Sequence, residues 1–212
     1  MNTIKLIPIV VFLLCFQQAI QAQALKNNIE KSVVEIGHSF PEISMDRLKQ
    51  IDQVAFLVFK KLEDSQKVDL LFIDDSNQEI SQLAMIWFET GMIYYGHSER
   101  FNIQSAGVTP KIEPMSKLEI LKEYGFSIKD ARGKNPMSSK IDYGSGNWIV
   151  YPKSTQSLES NNENTFKIYL ENVSTNDTIK SKIELLFTDI NSIPREMLYM
   201  ATRINNLLKT KQ

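Results

Sequence analysis

The chain has 212 residues, 42% hydrophobic and 23% charged, which suits one domain with a substantial core and excludes a disordered chain. Its formal charge of −1 leaves no electrostatic footprint for nucleic acid. Cys15 is the only cysteine. It lies in a segment that reads as a cleaved leader, so a mature chain excludes disulfides, thiolate metal sites and cysteine nucleophiles together.

The leader is expected over residues 1–24. Lys5 supplies the positive start, and Leu6 to Phe16 is an apolar run of signal-peptide length, too short to span a bilayer. Ala22-Gln23-Ala24 is a small-x-small pattern that allows cleavage after Ala22 or after Ala24. Export follows, to a periplasm or out of the cell, with no membrane attachment after cleavage. Leu14 is too bulky for a lipoprotein signal ending at Cys15.

Residues 25–67 read as a helical extension. Asn27 to Ile36 has helical periodicity and ends at Gly37-His38, and Phe40-Pro41 is a turn. Ser44 caps a helix from near Met45, with Leu48, Ile51, Val54, Ala55, Val58, Phe59 and Leu62 on one face. Lys60, Lys61 and Lys67 read as a solvated helix end.

The chain is organised around Val68 to Gly96. Val68 to Ile73 is an apolar run of buried-strand length, and Asp74 to Gln78 holds turn and cap formers. From Ile80, the residues Ile80, Leu83, Ala84, Trp87, Phe88 and Gly91 recur at helical spacing. Ser76 or Asn77 is the expected N-cap, with Glu79 in the first turn. A strand running into a loop at a helix N-terminus offers free backbone N–H groups to an anion. The side chains oppose it: Asp74, Asp75 and Glu79 are acidic, and no Lys or Arg lies between Asp74 and Ser81. Two like charges about 4 Å apart repel by roughly 4 kcal/mol at an effective dielectric near 20.

Beyond this unit, Phe101 to Ala106 alternates like a strand and is closed by Gly107 and Pro110. Pro114 precedes a helix over Met115 to Tyr124, with Gly125 as its C-cap. Phe126 to Pro136 reads as loop. Trp148 to Tyr151 is a third strand ended by Pro152, and Thr155 to Asn164 is a polar surface loop. Phe166 to Val173 alternates as a strand, and Ile183 to Phe187 is a further short strand or extended segment. Ser192 and Pro194 open a last helix with Met197, Leu198, Ala201, Ile204, Leu207 and Leu208 on its apolar face and Lys209 and Lys211 at its end. Strands alternating with helices, with no repeat and no linker, imply an α/β domain over residues 68–212 with a mainly parallel sheet.

The sequence Phe72-Ile73-Asp74-Asp75-Ser76-Asn77-Gln78-Glu79-Ile80-Ser81-Gln82-Leu83-Ala84 resembles the strand, loop and helix of the low-molecular-weight protein tyrosine phosphatase and arsenate reductase family. In that family the loop is Cys-x5-Arg-Ser. Tyr94-Tyr95-Gly96, Ser105-Ala106-Gly107, Glu113-Pro114, Leu121 to Phe126, Asn135-Pro136 and Arg195 to Tyr199 follow in the family's order and spacing. The resemblance runs over nearly all of Leu25 to Lys211. It implies a three-layer sandwich with a four-stranded sheet in the order 2-1-3-4, flanked by helices and preceded by a helical extension.

The departures fall on the chemistry. Asp74 stands at the position of the nucleophilic cysteine and Ile80 at that of the phosphate-clamping arginine. Asn77 and Ser81 match positions that shape the cradle. Asp189 falls near the family's general acid, followed by Ile190 where proline is usual. The family reaction needs a thiolate and a cation for the phosphoryl oxygens, and the loop supplies neither.

The expected function is therefore non-catalytic: binding of a protein or small ligand, of unspecified identity, through a mouth formed by Asp74, Asp75, Ser76, Asn77, Gln78, Glu79, Ser81 and the loops near Asp189. No cofactor is implied. A metal-dependent phosphohydrolase using Asp74 and Asp75, with Glu79 as a third oxygen ligand, is the alternative, beside residual phosphatase-type activity. The simpler reading is that these carboxylates cap the helix and fill the cradle themselves. His38 and His97 lie in loops without a nucleophile pattern and read as surface or supporting residues. Trp87, Phe88, Tyr94 and Tyr95 could line a groove, but the first two sit at core spacing, and burial is also the default for Trp148 and Tyr151.

Overall fold

The computed structural model describes residues 24–113, 115–130, 138–159, 165–173 and 183–210, without the side chains of residues 116 and 159. The expected leader, Ala24 apart, lies outside these residues, as do Pro114, Asn135, Pro136, residues 160–164 and Lys211. Among the described residues no helix is long and apolar enough to cross a membrane.

Helix α1 (Asn27–His38) buries Ile29 and Val33. Helix α2 (Met45–Asp64) starts where expected, because the Ser44 hydroxyl accepts the Arg47 N–H at 3.3 Å. It buries Ile51, Val54, Ala55, Val58, Phe59 and Leu62 along one stripe. Strand β1 (Val68–Asp74) follows, then helix α3 (Ile80–Tyr94), which is buried on nearly every side. Strand β2 (Phe101–Gly107) lies parallel to β1, with Val68 opposite Phe101 and Asp74 opposite Gly107.

The helix expected over Met115 to Tyr124 is a 3₁₀ helix, Ser116–Tyr124, closed by Gly125 at φ +93°. Its apolar residues Met115, Leu118, Leu121 and Tyr124 recur every three positions, so a three-residue turn stacks all of them towards the core.

The region read as loop after Phe126 contains strand β3 (Ser127–Asp130), which pairs antiparallel with β4 (Ser139–Asp142). The segment Trp148 to Tyr151 is not a strand of the parallel sheet. It forms β5 (Asn147–Val150), the third strand of this small antiparallel sheet. Among its residues only Val150 is buried, whereas an inner parallel strand is covered on both faces. Rings tie the small sheet to the core: Trp87 meets Tyr124 and Phe126 edge-on, and Trp148 lies against Phe126 and Tyr143.

The polar stretch after Thr155 opens with a short helix, α4 (Thr155–Glu159). Strand β6 (Phe166–Tyr169) takes the third place in the parallel sheet, and β7 (Ile183–Glu184) the fourth. Every pairing in the order β2-β1-β6-β7 is parallel, which is the expected 2-1-3-4 arrangement. Helix α5 (Ile193–Lys209) packs across α3 so closely that a Cβ on Gly91 would stand 2.5 Å from the Ala201 Cβ.

Leu70 and Phe72 of β1 face a single large cluster that also holds the extension's Ile29, Val33, Ile51 and Val58. Leu71 and Ile73 face the other way, against Ala106, Tyr169 and Val173, with Leu158 of α4 beside them. The sheet is thus flanked by helices, and the extension shares the domain's core.

Candidate functional site

The end of β1, the loop after it and the first turn of α3 form one hydrogen-bonded unit. Asp74 is 1% exposed. Its Oδ1 accepts the Asn77 N–H at 2.5 Å and its Oδ2 accepts the Ser81 N–H at 2.9 Å. The Ser81 hydroxyl also bonds to this carboxylate. The expected N-cap is therefore corrected: neither Ser76 nor Asn77 caps α3 with its side chain. Glu79 occupies the cap position without a side-chain bond. The carboxylate that satisfies the first turn comes from the end of the strand.

Asn77 adopts φ +52°, which asparagine tolerates better than most residues, and this folds the loop back on itself. Its Nδ2 donates to Ser81 Oγ at 2.8 Å, and its Oδ1 accepts the Lys153 N–H at 2.7 Å. Gln82 Nε2 donates to Asn77 Oδ1 and to the Tyr151 carbonyl. On the other side, the N–H groups of Val108, Thr109 and Lys111 donate to the carbonyls of Asp74, Asp75 and Ser76. Gln78 Nε2 reaches the Lys111 and Glu113 carbonyls at 2.8 and 3.1 Å. Gly107 passes so close that a Cβ there would lie 2.7 Å from the Asn77 nitrogen and 2.8 Å from the Asp75 oxygen.

A further carboxylate arrives from just past the end of β6. Glu171 Oε2 accepts the Asp75 N–H at 3.0 Å. The amides of Asp75, Asn77 and Ser81 thus all donate to carboxylates of the chain itself. Burial pushes the Asp74 carboxyl up to about 6. The bonds from the Ser81 and Asn77 backbone and the Ser81 side chain pull it down, and the Glu171 charge adds to the rise.

The expected mouth is narrower than its residues suggested. Asn77, Gln78 and Ser81 are buried, with polar groups spent inside the loop. Asp75 is exposed and Ser76 half-buried. Glu79 pairs with Lys117 on the rim. Ile80, at the arginine position of the family, packs partly buried against the core. Lys153 also comes near the loop; its ammonium lies 5.5 Å from the Tyr151 ring centre, and burial pushes its pKa down. Asp189 accepts the Asn191 N–H at 2.9 Å and lines a hollow with Ile36, Glu42, Tyr124 and Arg195. None of those partners comes from the loop, so Asp189 is placed at a different feature.

The oxygen-ligand set of Asp74, Asp75 and Glu79 does not converge. Asp74 turns inward to amides and Glu79 turns to Lys117. Among the described residues no three His, Cys, Asp or Glu side chains gather as a metal site. His97 Nε2 sits 3.2 Å from Asn205 Oδ1, and His38 lines a shallow hollow on α1 with Val34 and Tyr94. Trp87 and Phe88 are core residues, whereas Tyr94 is 40% exposed.

Glu171 and the Lys153 amide were not visible as loop partners in the sequence. Glu171 is brought there by the pairing of Ile73 with Tyr169 and Lys153 by the bridge between Gly107 and Ser154, and both registers are set by the fold. A second shifted carboxyl, Glu89 on α3, lies apart from the loop. Burial pushes it up to about 7, against a hydrogen bond from the Trp148 side chain. Burial, with the Glu89 charge beside it, raises the Tyr143 hydroxyl.

No protein-family model matches the chain, and no curated protein matches it in sequence. Among solved structures, it is similar to the Corynebacterium glutamicum thioredoxin-dependent arsenate reductase Cg_ArsC1′ at 20% identity and a TM-score of 0.36, over 95% of this chain and 92% of that one. The fold class stands on the order and direction of the strands.

Proposed function

We propose that the chain is an exported, non-catalytic protein that uses a phosphatase-like frame for binding or regulation. The observation that carries this reading is the Asp74 carboxylate seated on the amides of Asn77 and Ser81. A free oxyanion would have to displace it, then meet Asp75 and Glu171 with no cation in the loop. Phosphoryl transfer also lacks a nucleophile there, because Asp74 is spent as an acceptor.

What the loop leaves accessible is its outer rim. Asp75 is exposed, and Ile112, next to the loop-bonded Lys111, is 73% exposed. A rim that carries Asp75 and Lys111 beside one apolar knob suits a partner with an apolar recess flanked by charges of both signs, a basic group among them to meet Asp75.

The test is an assay of the chain without its leader against an aryl phosphate, and against arsenate with a thiol reductant. No turnover is expected. Turnover that copurifies with the chain and disappears in Asp74→Ala would overturn the reading. The binding role is tested separately, by recovering partners with the wild-type chain and with Asp75→Lys/Ile112→Asp. Capture that depends on neither residue argues against the rim.

A further inference from the structure

We propose that the outward face of the small antiparallel sheet docks an acidic, extended peptide segment of another protein. The face uses none of the residues of the Asp74 loop, so it stands apart from the loop reading.

Register decides which side chains share this face. One cross-strand row of β3, β4 and β5 is Ile128–Ile141–Trp148, and the next is Lys129–Lys140–Ile149. Ile141 is buried, and Ile128 and Trp148 pack against the core, so their row looks inward. Alternation along a strand turns the next row outward. Lys129, Lys140 and Ile149 are all exposed, Ile149 at 50%. Ser127–Asp142–Asn147, on the other side of the inward row, shares the outward face.

Two lysines therefore stand directly opposite each other on neighbouring strands, an arrangement of like charges that destabilises a sheet. Among the described residues neither forms an ion pair. The acid of the neighbouring row is already spent. Asp142 accepts the Gly144 N–H at 3.0 Å and pairs with the Lys26 ammonium at 3.2 Å, and Lys140 lies beyond ion-pair reach of it. The face is left with two uncompensated positive charges and an apolar side chain beside them, on a chain whose formal charge is −1.

Charge complementarity selects an anionic occupant. Two free lysines fall short of the cluster of about four to eight that holds a polybasic segment on an anionic membrane. No aromatic side chain stands in the outward rows to anchor in an interface. An extended peptide fits the spacing. Strands lie about 4.8 Å apart, so the middle of the lysine pair is about 7 Å from Ile149, close to the distance between residues i and i+2 of an extended chain. A carboxylate seated between Lys129 and Lys140 thus lays the side chain two positions on upon Ile149. The segment reads acidic-x-apolar, and it supplies the ion pairs that the sheet leaves open.

The experiment follows the backbone amides by nuclear magnetic resonance while the isotope-labelled chain is titrated with a short peptide bearing glutamate and leucine two positions apart. Saturable shifts at millimolar peptide, strongest at Lys129, Lys140 and Ile149, are expected, and they should fade as salt is raised. The same peptide with glutamine for glutamate should leave these amides in place. Lys129→Glu sets opposite charges across the strands, so the variant should melt no lower than wild type, yet bind the peptide about tenfold more weakly or worse. Lys129→Gln, which only removes the charge, should show a smaller loss in the same direction. No shift at millimolar peptide, equal shifts with the glutamine peptide, or undiminished binding by both variants overturns the proposal. So does sedimentation of the chain with phosphatidylglycerol vesicles when the peptide moves no amide, which would assign the face to a lipid surface.

Discussion

Two carboxyls, the buried Asp74 and the half-buried Glu89, carry charges that their surroundings oppose. Asp74 goes from 3.8 to about 6 and Glu89 from 4.5 to about 7, both chiefly through burial. A raised folded-state pKa means that the folded chain holds the proton more tightly than the unfolded one. The stabilisation is fully present below the unfolded value and is lost as pH rises through the folded value. For Asp74 that window runs from about 4 to about 6, and for Glu89 from about 4.5 to about 7, with roughly 1–3 kcal/mol at stake for each. Asp74→Asn should flatten the pH dependence of urea-unfolding stability across its window, whatever its offset. Glu89→Gln should raise stability at pH 8 by about 1–3 kcal/mol, because the amide oxygen still accepts from Trp148 without a charge to bury. A Glu89→Gln chain no more stable than wild type at pH 8 would show that the carboxylate is better solvated than its burial indicates.

The strand, loop and helix around Asp74 were legible in sequence because a near-continuous apolar run of strand length gives way, across a run of turn formers, to apolar residues at helical spacing. The destination of the Asp74 side chain was legible only in part. Its acidity signalled a helix N-terminus, but its seat on both Asn77 and Ser81 depends on the left-handed turn at Asn77. The small antiparallel sheet was missed for another reason. Ser127–Asp130 and Ser139–Asp142 are short and polar, with Ile141 fully buried and Ile128 packed beside the core, so they carry little pattern to read. The packing of Gly107 against the loop gives a further prediction. Gly107→Ala should cost about 2–4 kcal/mol, since its Cβ would press on loop backbone rather than on a side chain that can move. Urea unfolding reads this directly, and a cost near zero would mean that the loop can shift away without loss.

At the scale of the whole molecule, the sheet order was legible only through the resemblance; hydrophobic periodicity alone reached no further than the α/β class. How the helical extension is bound to the domain was not legible, because it turns on pairs far apart in sequence. Arg47 Nε and Nη2 both reach Glu196 Oε2 at 2.7 Å, joining α2 to α5, and the guanidinium also covers the Phe187 ring. Arg47→Ala should therefore destabilise the chain by about 2–4 kcal/mol by leaving Glu196 buried without its partner. Arg47→Met with Glu196→Leu should recover most of that loss. An additive double variant would mean that the two side chains do not act as a pair.

The most direct test of a self-filled cradle is to follow the backbone amides of Asp75, Asn77 and Ser81 by nuclear magnetic resonance during titration with phosphate at pH 7.5. With the Asp74 and Glu171 carboxylates already on those amides, their signals should stay in place up to millimolar phosphate. A saturable shift of all three would show an oxyanion entering the loop and would contradict it.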